Sequence, residues 1–351
     1  MNQENATLRL MVSTPERAHW QRLLEQLNGN IYHSIEWAET CCSNHSRPLF
    51  FNWLDINGRS VGIAVGIESC SPIRYVGRFS KRLNFETYPA VNDGDANLTR
   101  SMIGQLVDFA KSEGYRCLTI QSYCANVPVP DMDQLGFVIA PRIEFILDIT
   151  IPEERLWKQL SAHHRRKIKK AEKHSLLFKE ACNADAMQEL RKLHMATRDR
   201  RLRRGEFLDM FDDTYYEELG KSYFGRNLGR MYLMMHEQRA VSAVFVTIYA
   251  DRVLYVHGGS NEEGYKMDAP TLLFWKIFSR CRELGCREFN MGGVPASAVN
   301  PEVQSHGLYR FKAGFGGRQV PCVSGTAADL RLFRGALLSI AEKGWKAWKS
   351  W

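Results

Sequence analysis

Residues 290–317, NMGGVPASAVNPEVQSHGLYRFKAGFGG, hold one lysine, Lys312, in a setting unlike that of a solvated cation. Leu308, Tyr309, Phe311 and Phe315 bracket it, and glycines at 292, 293, 307, 314, 316 and 317 let backbone approach a ligand closely. An ammonium pressed against aromatic surface is partly desolvated. It therefore binds a carboxylate, a phosphate or a developing oxyanion more strongly than it would in water. Lys312 is the catalytic candidate, with Tyr309, Arg310, Gly292 and Gly293 beside it as substrate contacts. His257, read as lying at a strand end before Gly258 and Gly259, is a further candidate for substrate contact.

A second concentration of chemistry is cationic. HHRRKIKK at 163–170 reads as a helix with Leu160, Ile168 and Ala171 on its apolar side and Arg165, Arg166, Lys169, Lys170 and Lys173 around the rest. Arg165, Arg166 and Lys169 are the candidate phosphate contacts for a donor molecule. RDRRLRR at 198–204 adds to a net charge of +8, which favours encounter with anionic partners.

Several chemistries lack sequence support. No P-loop, nucleophile-elbow G-x-S-x-G or H-E-x-x-H pattern is present. Nine cysteines without a C-x-x-C and ten scattered histidines argue for reduced thiols and no metal site. No apolar run approaches the ~20 residues needed to span a bilayer, and the polar start MNQENATLRL does not read as a secretory signal, so the expected location is the cytoplasm. The stretch 332–351 reads as an amphipathic helix that docks on the first domain or touches the inner membrane surface peripherally.

The elements that must position Lys312 repeat. Strands at 49–55 and 60–69 flank Asn57-Gly58, a strong hairpin signal, followed by a helix at 98–113, Gly114 and a strand at 116–121. Strands at 230–236, 240–250 and 253–257, a helix at 269–284, Gly285 and a strand at 287–291 repeat that order. KSEGYRCLTI at 111–120 aligns with CRELGCREFN at 281–290, which points to a duplication. Helices at 185–200 and 214–224 precede the second set. The class is α/β (α+β), in two mixed units with a cleft between them.

Four segments resemble the FemABX aminoacyltransferases. GLYRFK at 307–312 with GFGG at 314–317 and GG at 292–293 is similar to that family's terminal motif. IYHSIEW at 31–37 resembles its Q-S-x-x-W segment, with His33 at the Gln position. LSAHHRRKIKKAEKHSL at 160–176 resembles its basic helix, with Ser175 where Gly is usual, and 269–285 resembles the helix before the last site strand. The likeness runs from about residue 31 to about residue 325.

The resemblance implies two tandem GNAT-like (acyl-CoA N-acyltransferase fold) domains, at 1–150 and 151–325, with a helix at 326–351 packing back on the first. It implies transfer of an aminoacyl group from aminoacyl-tRNA to an amine of a peptidoglycan precursor, with no metal or bound cofactor. Lys312 and Phe311 take the catalytic position by that likeness, and Trp37 falls in the acceptor-side segment. The family's lysine shortly after that Trp is missing here, since AETCC comes next and the first cation is Arg47. That departure leaves a lipid-linked precursor, a polysaccharide or a small amine open as acceptor. The donor alternative is acyl-CoA, but SNEEGYKMDA at 260–269, where its pyrophosphate loop belongs, has one glycine and two adjacent acids. A non-catalytic protein of this fold that binds nucleic acid or anionic lipid is the third reading.

Overall fold

The computed structural model describes residues 8–43, 45–70, 80–125, 128, 130–203, 205, 213–328 and 330. The chain forms two compact units, one of residues 1–141 and 322–351 and the other of residues 142–321.

The first unit contains β1 (Arg9–Val12), α1 (Arg17–Gln26), α2 (Ile35–Thr40), β2 (Ser46–Leu54), β3 (Ser60–Ser69), β4 (Arg82–Phe85), β5 (Ala90–Val91), α3 (Ala96–Ser112) and β6 (Cys117–Gln121). Strand order is β1-β2-β3-β4-β6, with β5 on β3, and β4 with β6 is the parallel pair. The β2–β3 hairpin turns at Asn57-Gly58, where Gly58 takes φ 75° and Asp55 Oδ1 accepts from the Asn57 and Arg59 amides. Phe51, Trp53, Leu83, Phe85, Leu106 and Leu118 form the centre of its core.

The chain enters the second unit within β7 (Val138–Asp148), earlier than the expected boundary at residue 150. Residues 142–148 pair antiparallel with the last strand of the second sheet, and that ladder draws the division forward. Next come α4 (Glu153–Gln159), α5 (Ala162–Ala171), β8 (Leu177–Glu180), α6 (Ala184–Leu202), α7 (Asp213–Phe224), β9 (Gly229–His236), β10 (Arg239–Tyr249), β11 (Arg252–Ser260), α8 (Glu262–Lys266), α9 (Ala269–Glu283), β12 (Glu288–Pro295) and α10 (His306–Ala313). The sheet order is β7-β12-β11-β10-β9-β8, and only β11 with β12 is parallel. β13 (Arg318–Ala328) returns the chain to the first unit, where its end pairs with β6 from Ser324 to Ala328. Residues 326–328, expected to begin a helix, are thus strand, because the β6 ladder takes up their backbone groups. The amphipathic stretch 332–351 lies outside the described residues.

Helices α3 and α9 end alike. Gly114 and Gly285 adopt φ 69° and 82°, and the next amides, Tyr115 and Cys286, reach back to the Ala110 and Cys281 carbonyls at 2.8 and 3.0 Å. Each closure feeds the strand that makes the parallel pair. The two parallel pairs differ in extent. β4 pairs with β6 along its whole length, whereas β11 pairs with β12 only at 252–254 and then runs on to Ser260. The second sheet is therefore splayed beyond Leu254 and Asn290.

Candidate active site

Residue type explains why α10 lies where it does. Phe311 and Phe315 pack against Phe274 with ring centroids 5.6 Å away in each case, and Phe278 and Phe289 continue the aromatic cluster. Gly314 lets α10 close on α5, since a Cβ there would overlap the His164 ring. Gly316, at φ 80°, closes in the same way on the Gln159 backbone. Lys312 therefore sits on a packed helix rather than in a glycine-rich turn.

From the last turn of α10 the Lys312 side chain reaches the splay. It is 5% exposed, and Nζ donates to the Gly293 carbonyl at 3.3 Å. Nζ also lies 5.8 Å from the centre of the Tyr255 ring, within reach of its negative face. Gly292 takes φ 71°, a left-handed conformation that favours glycine, and a Cβ there would only touch Nζ, at 3.5 Å. Beneath this irregularity in β12, where the register with β7 shifts between Asn290 and Gly293, is a buried polar chain. Asn290 Nδ2 donates to Glu144 Oε1 at 3.1 Å, and Asn290 Oδ1 accepts from the Gly292 amide at 2.7 Å. Glu144 is 2% exposed and faces Gly293 across the β7–β12 ladder. A cation, a carboxylate and a bent Gly-Gly backbone are thus fixed at the mouth of the splay.

Sequence reading missed His164, whose signal was its i, i+4, i+7 spacing with Ile168 and Ala171. All three face inward. His164 Nε2 donates to the Phe311 carbonyl at 3.0 Å, its Nδ1 meets Ser161 Oγ at 3.3 Å, and its ring stands edge-on to Phe315. Burial lowers its pKa to about 4 against the opposing hydrogen bond to the Phe311 carbonyl, and the Lys167 charge adds to the drop, so it is a neutral strut between α5 and α10.

The other candidates separate. Tyr309 packs on Phe145 and its hydroxyl meets Gln319, while Arg310 is exposed on α10. His257 is not at a strand end, because β11 continues three residues further. The β10–β11 register skips Val256, which turns Tyr255 toward Phe274 and α9 while His257 meets α6 and α7. There Nε2 bonds Tyr215 Oη at 2.7 Å, and burial, then the His194 charge, lowers the pKa to about 3. Gly258 is held to hydrogen by the Tyr255 hydroxyl, 2.8 Å from where a Cβ would be.

Trp37 belongs to the first unit, buried in α2 with its ring edge-on to Tyr32. His33, just before it, accepts from the Asn30 amide at Nδ1 and donates from Nε2 to the Tyr88 carbonyl. Burial lowers its pKa to about 4. A neutral imidazole with one donor and one acceptor offers what a glutamine amide would offer there.

Arg165, Arg166 and Lys169 line a cavity of about 450 Å³ together with Trp157, Lys170 and Lys173. Arg165 caps α4 by donating to the Leu160 and Lys158 carbonyls. Lys167 and Lys170 hold Asp268 at 3.3 and 3.0 Å, beside the start of α9. Among the described residues, no group of three or more His, Cys, Asp or Glu could hold a metal ion, and no helix is long and apolar enough to cross a membrane.

Residues 158–313, which include α5, the splay and Lys312, match the acetyltransferase (GNAT) domain family. The solved structure of FemX is similar over 89% of this chain and 96% of its own, with 13% identity and a TM-score of 0.69. The chain has a FemABX-like tandem GNAT fold. A tandem GNAT protein from the clavulanic acid biosynthesis pathway is similar over 92% of this chain and 99% of its own, at 13% identity and TM-score 0.57. L-PGS from Bacillus licheniformis is similar over 94% and 96%, at 16% identity and TM-score 0.56. No curated protein sequence matches the chain. The domain match supports acyltransferase chemistry in the unit that carries Lys312.

Proposed function

We propose that the protein is an aminoacyltransferase that moves an aminoacyl group from aminoacyl-tRNA to an amine of a cell-wall precursor or a related acceptor. The loop between β11 and α9 carries this reading. A CoA pyrophosphate needs free backbone amides where that loop meets the helix. Here the Gly264, Tyr265, Met267 and Asp268 amides bond within the loop, and Pro270 has none. The same loop carries three acids, Glu262, Glu263 and Asp268, paired with Arg203, with His236 and with Lys167 and Lys170, and their charge opposes a phosphate there. Charge for a phosphate-rich donor is supplied instead by side chains along α5, spread over several turns as a nucleic-acid strand requires.

In the reaction the acceptor nitrogen attacks the ester carbonyl, forming the N–C bond and placing negative charge on the carbonyl oxygen. The Lys312 ammonium, already desolvated, stabilises that oxyanion. Collapse breaks the C–O bond to the ribose, and the proton lost by nitrogen ends on the departing ribose oxygen. On the acceptor side, Arg47 pairs with Glu68 at 2.7 Å and so does not replace the missing lysine. That observation favours a lipid-linked precursor, a polysaccharide or a small amine over a nucleotide-linked one.

The acetyltransferase-domain match favours a second reading, an acyl-CoA N-acyltransferase acting on an exopolysaccharide or small amine. Incubation of the purified protein with cell-wall precursor extract and either radiolabelled aminoacyl-tRNA or radiolabelled acetyl-CoA separates the two. Transfer from the charged tRNA alone is expected. Transfer from acetyl-CoA alone rejects the aminoacyltransferase reading.

A further inference from the structure

The cavity along α5 contains more than a phosphate site requires. Its wall carries five cations, Arg165, Arg166, Lys169, Lys170 and Lys173. Lys170 is balanced by Asp268 and Arg165 is engaged by carbonyls. Arg166 meets only the neutral acceptor His163 Nδ1 at 3.2 Å, and among the described residues neither Lys169 nor Lys173 has a carboxylate within ion-pair distance. Like charges gathered on one wall repel, and an anion relieves them. The neighbouring His163 is held below its ordinary pKa by burial and then by Lys167, Arg166 and Arg310, which agrees with a positive field.

Trp157 is the addition that inorganic phosphate would not need. Its ring is pinned edge-to-face on Trp275, centroids 5.3 Å apart, and it is half-buried, so its remaining surface lines the cavity at fixed orientation. A rigid aromatic surface surrounded by cations matches a flat base with phosphate on either side. The cavity volume lies within the range of small-ligand sites.

We propose that this cavity is a nucleotide subsite, in which Trp157 stacks an unpaired base while Arg166, Lys169 and Lys173 hold the flanking phosphates. The single-stranded 3′ end of an RNA and the nucleotide half of CoA share this chemistry. The inference rests on the aminoacyl-tRNA reading only for the choice of the RNA end over CoA.

Binding to the full chain is measured with a labelled single-stranded RNA hexamer, a blunt RNA duplex and CoA across a salt series. Trp157→Ala is expected to weaken hexamer binding about tenfold, leave its salt slope unchanged and not affect the duplex, while Trp157→Phe retains most of the affinity. Lys169→Gln with Lys173→Gln should lower the hexamer slope by about 1.4, at ~0.7 per phosphate. Wild-type hexamer affinity in both Trp157 variants, equal losses for hexamer and duplex, or binding of neither hexamer nor CoA overturns the subsite. If CoA shows these dependences and the hexamer does not, the subsite stands and the aminoacyl-tRNA reading falls.

Discussion

Lys312 is where one side chain decides most. Its position at the splay mouth, 5% exposed and bonded to Gly293, is what the proposed role in stabilising a transition-state oxyanion rests on. Lys312→Met keeps the apolar stem and removes the charge, so turnover is expected to fall by about 10²-fold or more with the fold intact. Lys312→Arg should also be impaired, because a planar guanidinium cannot take the point-charge geometry that the gap beside Gly292 and Tyr255 admits. Steady-state rates and circular dichroism of both variants check this, and full turnover in the Met variant removes Lys312 from the mechanism.

At the scale of elements, α10 is held by fit on one side and is open on the other. Gly314 lies against the His164 ring, so Gly314→Ala forces α10 and α5 apart and should cost about 1–3 kcal/mol. Turnover should fall as well, because the same shift displaces Lys312. Gly307, on the exposed side of the same helix, has nothing within 4 Å of a Cβ. Gly307→Ala should therefore stabilise by roughly 0.5–1 kcal/mol, through helix propensity alone. Urea unfolding of the two variants reads the opposite signs, and equal shifts in one direction would contradict this packing. The two parallel strand pairs make a similar contrast. Full pairing in the first unit leaves no gap, whereas the six-residue overrun of β11 past Leu254 opens the place that Lys312 enters.

Beside His194, whose pKa burial also lowers, three imidazoles contribute most to the response of the whole molecule to acid: His33 in the first unit, His164 and His257 in the second. Their pKa values are lowered from 6.5 to about 4, about 4 and about 3, so the unfolded chain binds protons more tightly than the native one. Their stabilising contribution is complete above the unfolded value of 6.5 and is lost as pH falls through 6.5 toward 4. Each group then removes up to about 1.4 kcal/mol per pH unit. Melting temperatures should decline from about pH 7 to about pH 4.5, with a shallower decline in His33→Gln; a flat profile would mean these rings are not held neutral. Much of the architecture was legible without coordinates. Strand alternation, helical periodicity, the Asn57-Gly58 turn and the matched glycines 114 and 285 are set by residues a few positions apart, so the repeated order and most element bounds followed from sequence alone. Lys312, its glycines and the basic face of α5 were readable for the same reason, since they are clustered in sequence. Only tertiary packing set the His164 bond to a carbonyl 147 residues away, Glu144 beneath Asn290, and His257 turned by the skipped Val256 to the α6 and α7 side. These features depend on which distant surfaces meet and how strand registers fit, and no local period in a sequence records that.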